Sequence, residues 1–291
     1  MRLLALLLSA TLVAGSLSAC APVTTLNALT VTSTYERTEN VAYGPDERQR
    51  LDIYRPVTAA PPGGWPVAVF FYGGTWHRGE RADYKFVGEA LASRGVIALV
   101  ADYRLYPQVR YPDFLSDGAL AVAYGLKEAA RLGGNPKRVF VMGHSSGAYN
   151  AAMIALDPRW LKSVGSSPKA LAGWIGLAGP YDFYPIENPD AKPVFNHPDY
   201  PPDSQPIGFA SAASPRTFLG AASRDTLVDP QRNTVALANR LKAAGVPVSL
   251  HLYKHVNHVT LAAAMSQPLR WLAPVLKDVS QFLNETPPAL E

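Results

Sequence analysis

The sequence predicts an α/β fold: a mostly parallel central sheet, helices on both faces, an antiparallel N-terminal hairpin and a short lid insertion. Three observations predict it. Short apolar runs that read as strands alternate with segments of helical spacing through most of the chain. The runs Trp65 to Tyr72 and Val96 to Ala101 are almost wholly apolar, as strands covered on both faces should be. The run Arg138 to Met142 leads straight into Gly143-His144-Ser145-Ser146-Gly147, a small-residue turn followed by the helix-friendly segment Ala148 to Leu156.

The 291 residues suffice for one large domain with a well-buried core. No internal repeat or low-complexity stretch interrupts them. The net charge is a mild +4 with no basic run, so no nucleic-acid partner is implied. The N-terminus reads differently. Met1-Arg2 is a short positive start, and Leu3 to Ala14 is apolar but too short to span a bilayer. The small residues Leu17-Ser18-Ala19 close this stretch, so residues 1–19 read as a secretory signal peptide. Cys20 is the only cysteine, which excludes an intramolecular disulfide and suggests a modified or reactive thiol. Residues 20–33 read as a flexible tether, and residues 34–287 as the single folded domain.

Along that domain, Thr34 to Tyr43 and Gln49 to Tyr54 read as a hairpin turned at Gly44-Pro45-Asp46-Glu47. A Pro/Gly loop precedes the strand Trp65 to Tyr72. Tyr84 to Arg94 has helical spacing, then Val96 to Ala101 is a strand. Phe114 to Leu132 is a long amphipathic helix, ended by Gly133-Gly134-Asn135-Pro136. After the strand Arg138 to Met142 come strands Leu171 to Ala178, Arg216 to Ala221 and Val248 to His255. Pro230 to Ala244 and Leu269 to Leu283 read as helices. The stretch 180–214 is rich in prolines and aromatics (Tyr181, Phe183, Tyr184, Phe195, Tyr200) with little periodicity. A long irregular segment in a compact domain is often functional, and this one reads as a lid over a site.

The chemistry starts from Ser145. In a strand–turn–helix setting, G-x-S-x-G presents the serine on a sharp turn, and its glycines let the backbone double back. A serine hydroxyl needs a base to take its proton, usually a histidine oriented by a carboxylate. In this setting the acid follows the serine and the histidine comes last. Asp225 and Asp229 both follow the strand ending near Ala221. Asp229 precedes Pro230 and a helical segment, which explains it as a helix cap. Asp225 has no such duty and is favoured. Of the late histidines, His251 and His255 lie on one strand, on the order of 13 Å apart, too far to share a metal ion. His258 lies in the loop beyond and is favoured as the base over His255. His77 reads as solvated, His144 as packed beside the serine, and His197 as part of the lid. Backbone N–H groups for a developing oxyanion are expected from Ser146, at a helix N-terminus, and from Gly73 and Gly74, with Thr75 their neighbour.

Together, Tyr72-Gly73-Gly74-Thr75-Trp76, Asp102-Tyr103-Arg104-Leu105, Gly143-His144-Ser145-Ser146-Gly147, Asp225-Thr226-Leu227-Val228-Asp229-Pro230 and His258 resemble the α/β-hydrolase superfamily. The resemblance runs from about residue 35 to 285. It is nearest to the carboxylesterase branch, among hormone-sensitive-lipase-like and feruloyl-esterase-like enzymes. It implies a Ser145–His258–Asp225 triad, an acyl-enzyme intermediate, a small-molecule ester substrate, and neither cofactor nor metal. It leaves Asp102 to Leu105 structural. The family usually carries His where Tyr72 stands. In prolyl-oligopeptidase-like relatives a tyrosine there lends its hydroxyl to the oxyanion, so Tyr72 is either a donor or a packed aromatic. An amidase of kynurenine-formamidase-like or small peptidase-like type would use the same fold and triad. A non-catalytic binding protein on the same scaffold is the third reading. Leu17-Ser18-Ala19-Cys20 resembles the lipobox of bacterial lipoproteins. That resemblance implies cleavage before Cys20, lipid on its thiol and a membrane anchor. Ala21 is not an acidic retention residue, which implies the outer membrane, facing the periplasm.

Overall fold

The computed structural model describes residues 20–285. The expected signal peptide lies outside the described residues. The first elements are α1 (Cys20–Ala28), β1 (Tyr35–Ala42), β2 (Arg50–Pro56), β3 (Trp65–Phe71), α2 (Lys85–Ala92), β4 (Ile97–Ala101) and α3 (Asp113–Glu128). The middle of the chain forms β5 (Gly134–His144), α4 (Ser146–Leu156), α5 (Pro158–Ser163), β6 (Gly173–Leu177) and α6 (Ala191–Val194). The last elements are β7 (Thr217–Ala222), α7 (Ala236–Ala243), β8 (Val248–Tyr253), α8 (His258–Ala263) and α9 (Val275–Asn284).

The strands form one sheet in the order β1-β2-β4-β3-β5-β6-β7-β8. β1 pairs with β2, and β2 with β4, antiparallel; every other pair is parallel. The expected hairpin is therefore the edge of an otherwise parallel sheet. Every residue of β3, β4, β6 and β7 is buried, which is why their sequences read as unbroken apolar runs. β1 is largely exposed and carries Glu36, Arg37 and Glu39, charges that discourage further strand addition at the edge.

Side-chain alternation fixes the faces. Gly88 of α2 lies against Tyr54, which pairs with Ala98. Gly125 of α3 lies against Val69 and Leu99. Ala98 and Leu99 are neighbours on one strand and point to opposite faces, so α2 and α3 cover opposite sides. α9 joins α2, because Phe282 meets Phe140, the partner of Ala68. α4 joins α3, because Gly118 lies against Ile154 and Phe71.

Some expected elements differ. The segment read as a tether folds over Cys20–Ala28 as α1. The Asn27 side chain docks it, donating to the Ala82 carbonyl at 2.8 Å and accepting from the Phe86 N–H at 3.3 Å. Leu26 packs against the core beside it, and α1 carries no apolar stripe that the sequence could show. The last helix starts at Val275 rather than Leu269, because Pro274 cannot donate the N–H a helix interior needs. The segment Pro230 to Ala244 opens with a π-turn over Gln231–Val235 before α7 begins. β8 stops at Tyr253, leaving His255 beyond the strand.

Candidate active site

Six parallel strands end at one edge of the sheet, at Phe71, Ala101, His144, Leu177, Ala222 and Tyr253. The loops leaving them carry Gly73 to Gly79, Ser145, the irregular insertion, Asp225 and His258. A parallel sheet gathers such loops at its carboxyl edge, which is where α/β folds place ligands.

Ser145 is the single residue between β5 and α4. Its backbone has φ 55° and ψ −125°, a conformation that costs a non-glycine residue about 1–3 kcal/mol. The flanking glycines show what over-determines it. A Cβ at Gly143 would lie 2.1 Å from the Gly147 carbonyl oxygen, and a Cβ at Gly147 would lie 2.1 Å from the Phe71 carbonyl oxygen. The Ser145 N–H donates to the Leu177 carbonyl of β6 at 2.9 Å. Every residue of α4 is buried, so the helix that follows cannot move away.

The structure brings Ser145, His258 and Asp225 together. The Ser145 hydroxyl donates to Nε2 of His258 at 2.9 Å. The opposite ring nitrogen, Nδ1, donates to Oδ2 of Asp225 at 2.7 Å. The carboxylate facing Nδ1 fixes the tautomer and leaves Nε2 free to accept. The other Asp225 oxygen accepts the N–H groups of Leu227 (2.9 Å) and Val228 (3.0 Å). Both Asp225 and His258 are 7% exposed. Burial pushes the Asp225 carboxyl up, but the His258 hydrogen bond and charge, with the two N–H groups, hold it below the ordinary value. His258 is the first residue of α8, whose end is fixed by a reciprocal cap between Asn257 and Thr260.

The rival residues sit elsewhere. Asp229 accepts the N–H groups of Gln231 (2.8 Å) and Arg232 (3.3 Å), the expected capping role. His255 is exposed. His251 lies on β8 beside Asp278 at 3.4 Å. His197 lies against Tyr200 in the insertion, its ring tilted 30° to the tyrosine. His77, expected to be solvated, donates to the Asp190 carbonyl instead. His144 is buried, and its Nε2 donates to the His258 carbonyl at 2.9 Å. Burial, then the nearby His258, lowers its pKa to about 3, so the ring is neutral.

The loop after β3 approaches the serine closely. A Cβ at Gly73 would lie 2.8 Å from the Ser145 Cβ. Gly74 has φ +135°, and a Cβ there would meet the Arg78 carbonyl oxygen at 2.1 Å. Thr75 and Trp76 continue at φ 55° and 60°, so the chain curls inward there. Of the two readings of Tyr72, the geometry supports the packed aromatic and corrects the donor. Its hydroxyl accepts from Arg48 and donates to Asp102, each at 2.8 Å, and its ring stacks between Tyr84 and Tyr103. Asp102 thereby holds the loop from below.

Ser145 and His258 open into a cavity of about 430 Å³. Thr75, Trp76 and Arg78 line one wall, and Thr226 to Asp229, Arg232 and Asn233 another. The insertion supplies the third wall, with Phe183, Ile186 and Glu187 among its residues. It is pinned by aromatics. Phe195 is fully buried, with its ring centroid 5.0 Å from Trp76 and 5.5 Å from Tyr149. The Tyr149 hydroxyl donates to the Ser204 carbonyl at 2.8 Å. Sequence reasoning missed the inward turn at Thr75 and Trp76, and it missed Asn233. Only the Asn257/Thr260 spacing, a capping-box pattern, was there to be read beside His258.

The chain resembles a probable isoprenylcysteine alpha-carbonyl methylesterase of Arabidopsis thaliana, 28% identical over 79% of this chain and 58% of that protein. It resembles the esterase LipC of Mycobacterium tuberculosis (strain ATCC 25618 / H37Rv), 27% identical over 72% of this chain and 56% of that protein. The chain thus spans little more than half the length of these relatives. Among solved structures, a bacterial heroin esterase matches with TM-score 0.73 and 23% identity, covering 91% of this chain and 90% of that one. A truncated carbohydrate esterase from gut microbiota matches with TM-score 0.71 and 18% identity, over 87% and 97%. These two establish the α/β-hydrolase fold. The BD-FAE family model matches residues 51–241, from β2 through the Ser145 turn and Asp225 into α7. The chain belongs to the BD-FAE family.

Proposed function

We propose that the protein is a carboxylesterase working through Ser145, His258 and Asp225. The observation that carries this reading is the unbroken relay from the Ser145 hydroxyl through His258 to the Asp225 carboxylate, opening into a cavity. Ser145 Oγ attacks the ester carbonyl carbon while His258 Nε2 takes its proton. Asp225 stabilises the imidazolium so formed. The tetrahedral oxyanion is met by the Ser146 N–H, one of the first-turn amides a helix cannot pair internally, and by N–H groups of the Gly73 to Thr75 turn. The intermediate collapses, and His258 gives its proton to the departing alcohol. Water then adds to the acyl-enzyme with His258 as base, releasing the carboxylic acid and restoring Ser145.

The N-terminal sequence supports a further part of the proposal. Residues 1–19 are a signal peptide, and Cys20 carries lipid that holds the enzyme at the outer membrane, facing the periplasm. Cys20 opens α1, so such an anchor would join the folded domain with no slack between. Cys20→Ser would then abolish incorporation of labelled fatty acid.

The experiment for the activity compares the protein with Ser145→Ala on nitrophenyl esters of increasing acyl length. The variant is expected to lose about a thousandfold or more in kcat. Equal rates on every ester would sink the esterase reading.

A further inference from the structure

The π-turn over Gln231–Val235 closes through a Val235 N–H to Pro230 carbonyl bond of 2.8 Å, five residues back. Such turns are uncommon and concentrate at functional sites. This one presents two consecutive side chains to the insertion. Asn233, 4% exposed, accepts the N–H groups of Tyr181 (2.6 Å) and Asp182 (2.9 Å) with its Oδ1. Its Nδ2 donates to the Asp229 carbonyl at 3.0 Å. Arg232 donates to the Tyr184 carbonyl and reaches the Asp182 carboxylate at 3.4 Å.

We infer that Asn233 and Arg232 form a clasp that sets the spacing between the insertion and the Asp225 loop, and so the acyl size the cavity accepts. The inference rests on the esterase reading. Both residues line the cavity, as do Asp182 on the insertion and Asp229 on the Asp225 loop, which the clasp connects. The amide of Asn233 suits its partners in both directions. Its oxygen faces two donors and its nitrogen faces an acceptor, so an apolar replacement leaves one buried and one half-buried N–H group and a carbonyl with less than their full complement. Asn233 touches neither Ser145 nor His258, which makes it a positioning residue. A shift of one wall changes discrimination between acyl groups, because a methylene more or less in a pocket changes kcat/KM by roughly tenfold or more.

The test measures kcat/KM on nitrophenyl acetate and nitrophenyl octanoate for four proteins: wild type, Asn233→Ala, Asn233→Asp and Arg232→Gln. Thermal unfolding checks that each is folded. Asn233→Ala is expected to move the octanoate-to-acetate ratio at least about fivefold toward the longer ester. Arg232→Gln, on the exposed side of the clasp, should move it the same way by about twofold. Asn233→Asp keeps the acceptor for both N–H groups and should bring the ratio back to within about twofold of wild type. Equal losses on both esters in Asn233→Ala, or an Asn233→Asp ratio like that of Asn233→Ala, would reduce the clasp to ordinary structural support. Hydrogen exchange over residues 180–186 reads the clasp without turnover. Faster exchange in Asn233→Ala but not in Asn233→Asp is expected, and unchanged exchange in both overturns the clasp. An inert wild type would fail the esterase reading alone, with the exchange result still deciding the clasp.

Discussion

Two neighbouring parts of the cavity are positioned by different physics. The Ser145 turn is fixed by backbone: a positive φ, two glycines whose added Cβ atoms would strike carbonyl oxygens, and a main-chain bond to β6. The insertion is fixed by side chains: Phe195 under Trp76, Tyr149 on Ser204, Asn233 on Tyr181. The difference teaches why one of them can be read in five residues of sequence and the other cannot. A backbone constraint selects residue types locally. A side-chain network draws its members from all along the chain and leaves no spacing behind.

The contrast can be broken at either end. Gly147→Ala places a methyl against the Phe71 main chain, where nothing flexible can yield. It should cost about 4–5 kcal/mol or more, read as loss of folded protein or a large drop in the urea midpoint. A fully stable variant would mean that the turn is not backbone-limited. Phe195→Ala instead removes a packed ring from the insertion and should cost about 3–5 kcal/mol in the same measurement. Ester turnover per folded molecule should survive it on the shortest substrate, because the Ser145–His258 pair lies on other elements. Loss of all turnover in the folded variant would make the insertion part of the chemistry.

A smaller effect sharpens the comparison at the junction. His144 belongs to the turn but binds the His258 carbonyl, and it is buried neutral with a pKa lowered to about 3. The unfolded chain takes a proton on this ring near pH 6.5 and the folded protein does not. The folded state therefore keeps its full advantage above about pH 6.5 and loses it as pH falls toward 3. Between pH 7 and pH 4.5 the loss should be on the order of 2 kcal/mol. His144→Gln should flatten that part of the pH dependence. An unchanged slope would show that the ring titrates freely in the folded state.

The sheet was legible because burial on both faces writes itself as continuous apolar runs, as in Val67 to Phe71 and Ile97 to Ala101. Asp225 could be told from Asp229 because Pro230 explained the second as a cap. His258 could be told from His255 by its greater distance beyond the last strand, although β8 already stops at Tyr253 and His255 lies exposed after it. Other features had no local signature. α1 carries no apolar stripe. The π-turn depends on two backbone N–H groups, of Val235 and Ala236, each reaching five residues back. Tyr72 could be assigned only once Arg48 and Asp102, distant in sequence, were seen on its hydroxyl.

The central claim is that His258 and Asp225 activate Ser145 as a nucleophile. A fluorophosphonate, which phosphonylates activated serines, tests it by intact-mass and peptide analysis of wild type, His258→Ala and Asp225→Asn. The account predicts one adduct per wild-type chain, on the peptide carrying Ser145, with labelling slowed by orders of magnitude in both variants. An adduct on another residue, or equal labelling of Ser145 in all three proteins, would contradict it.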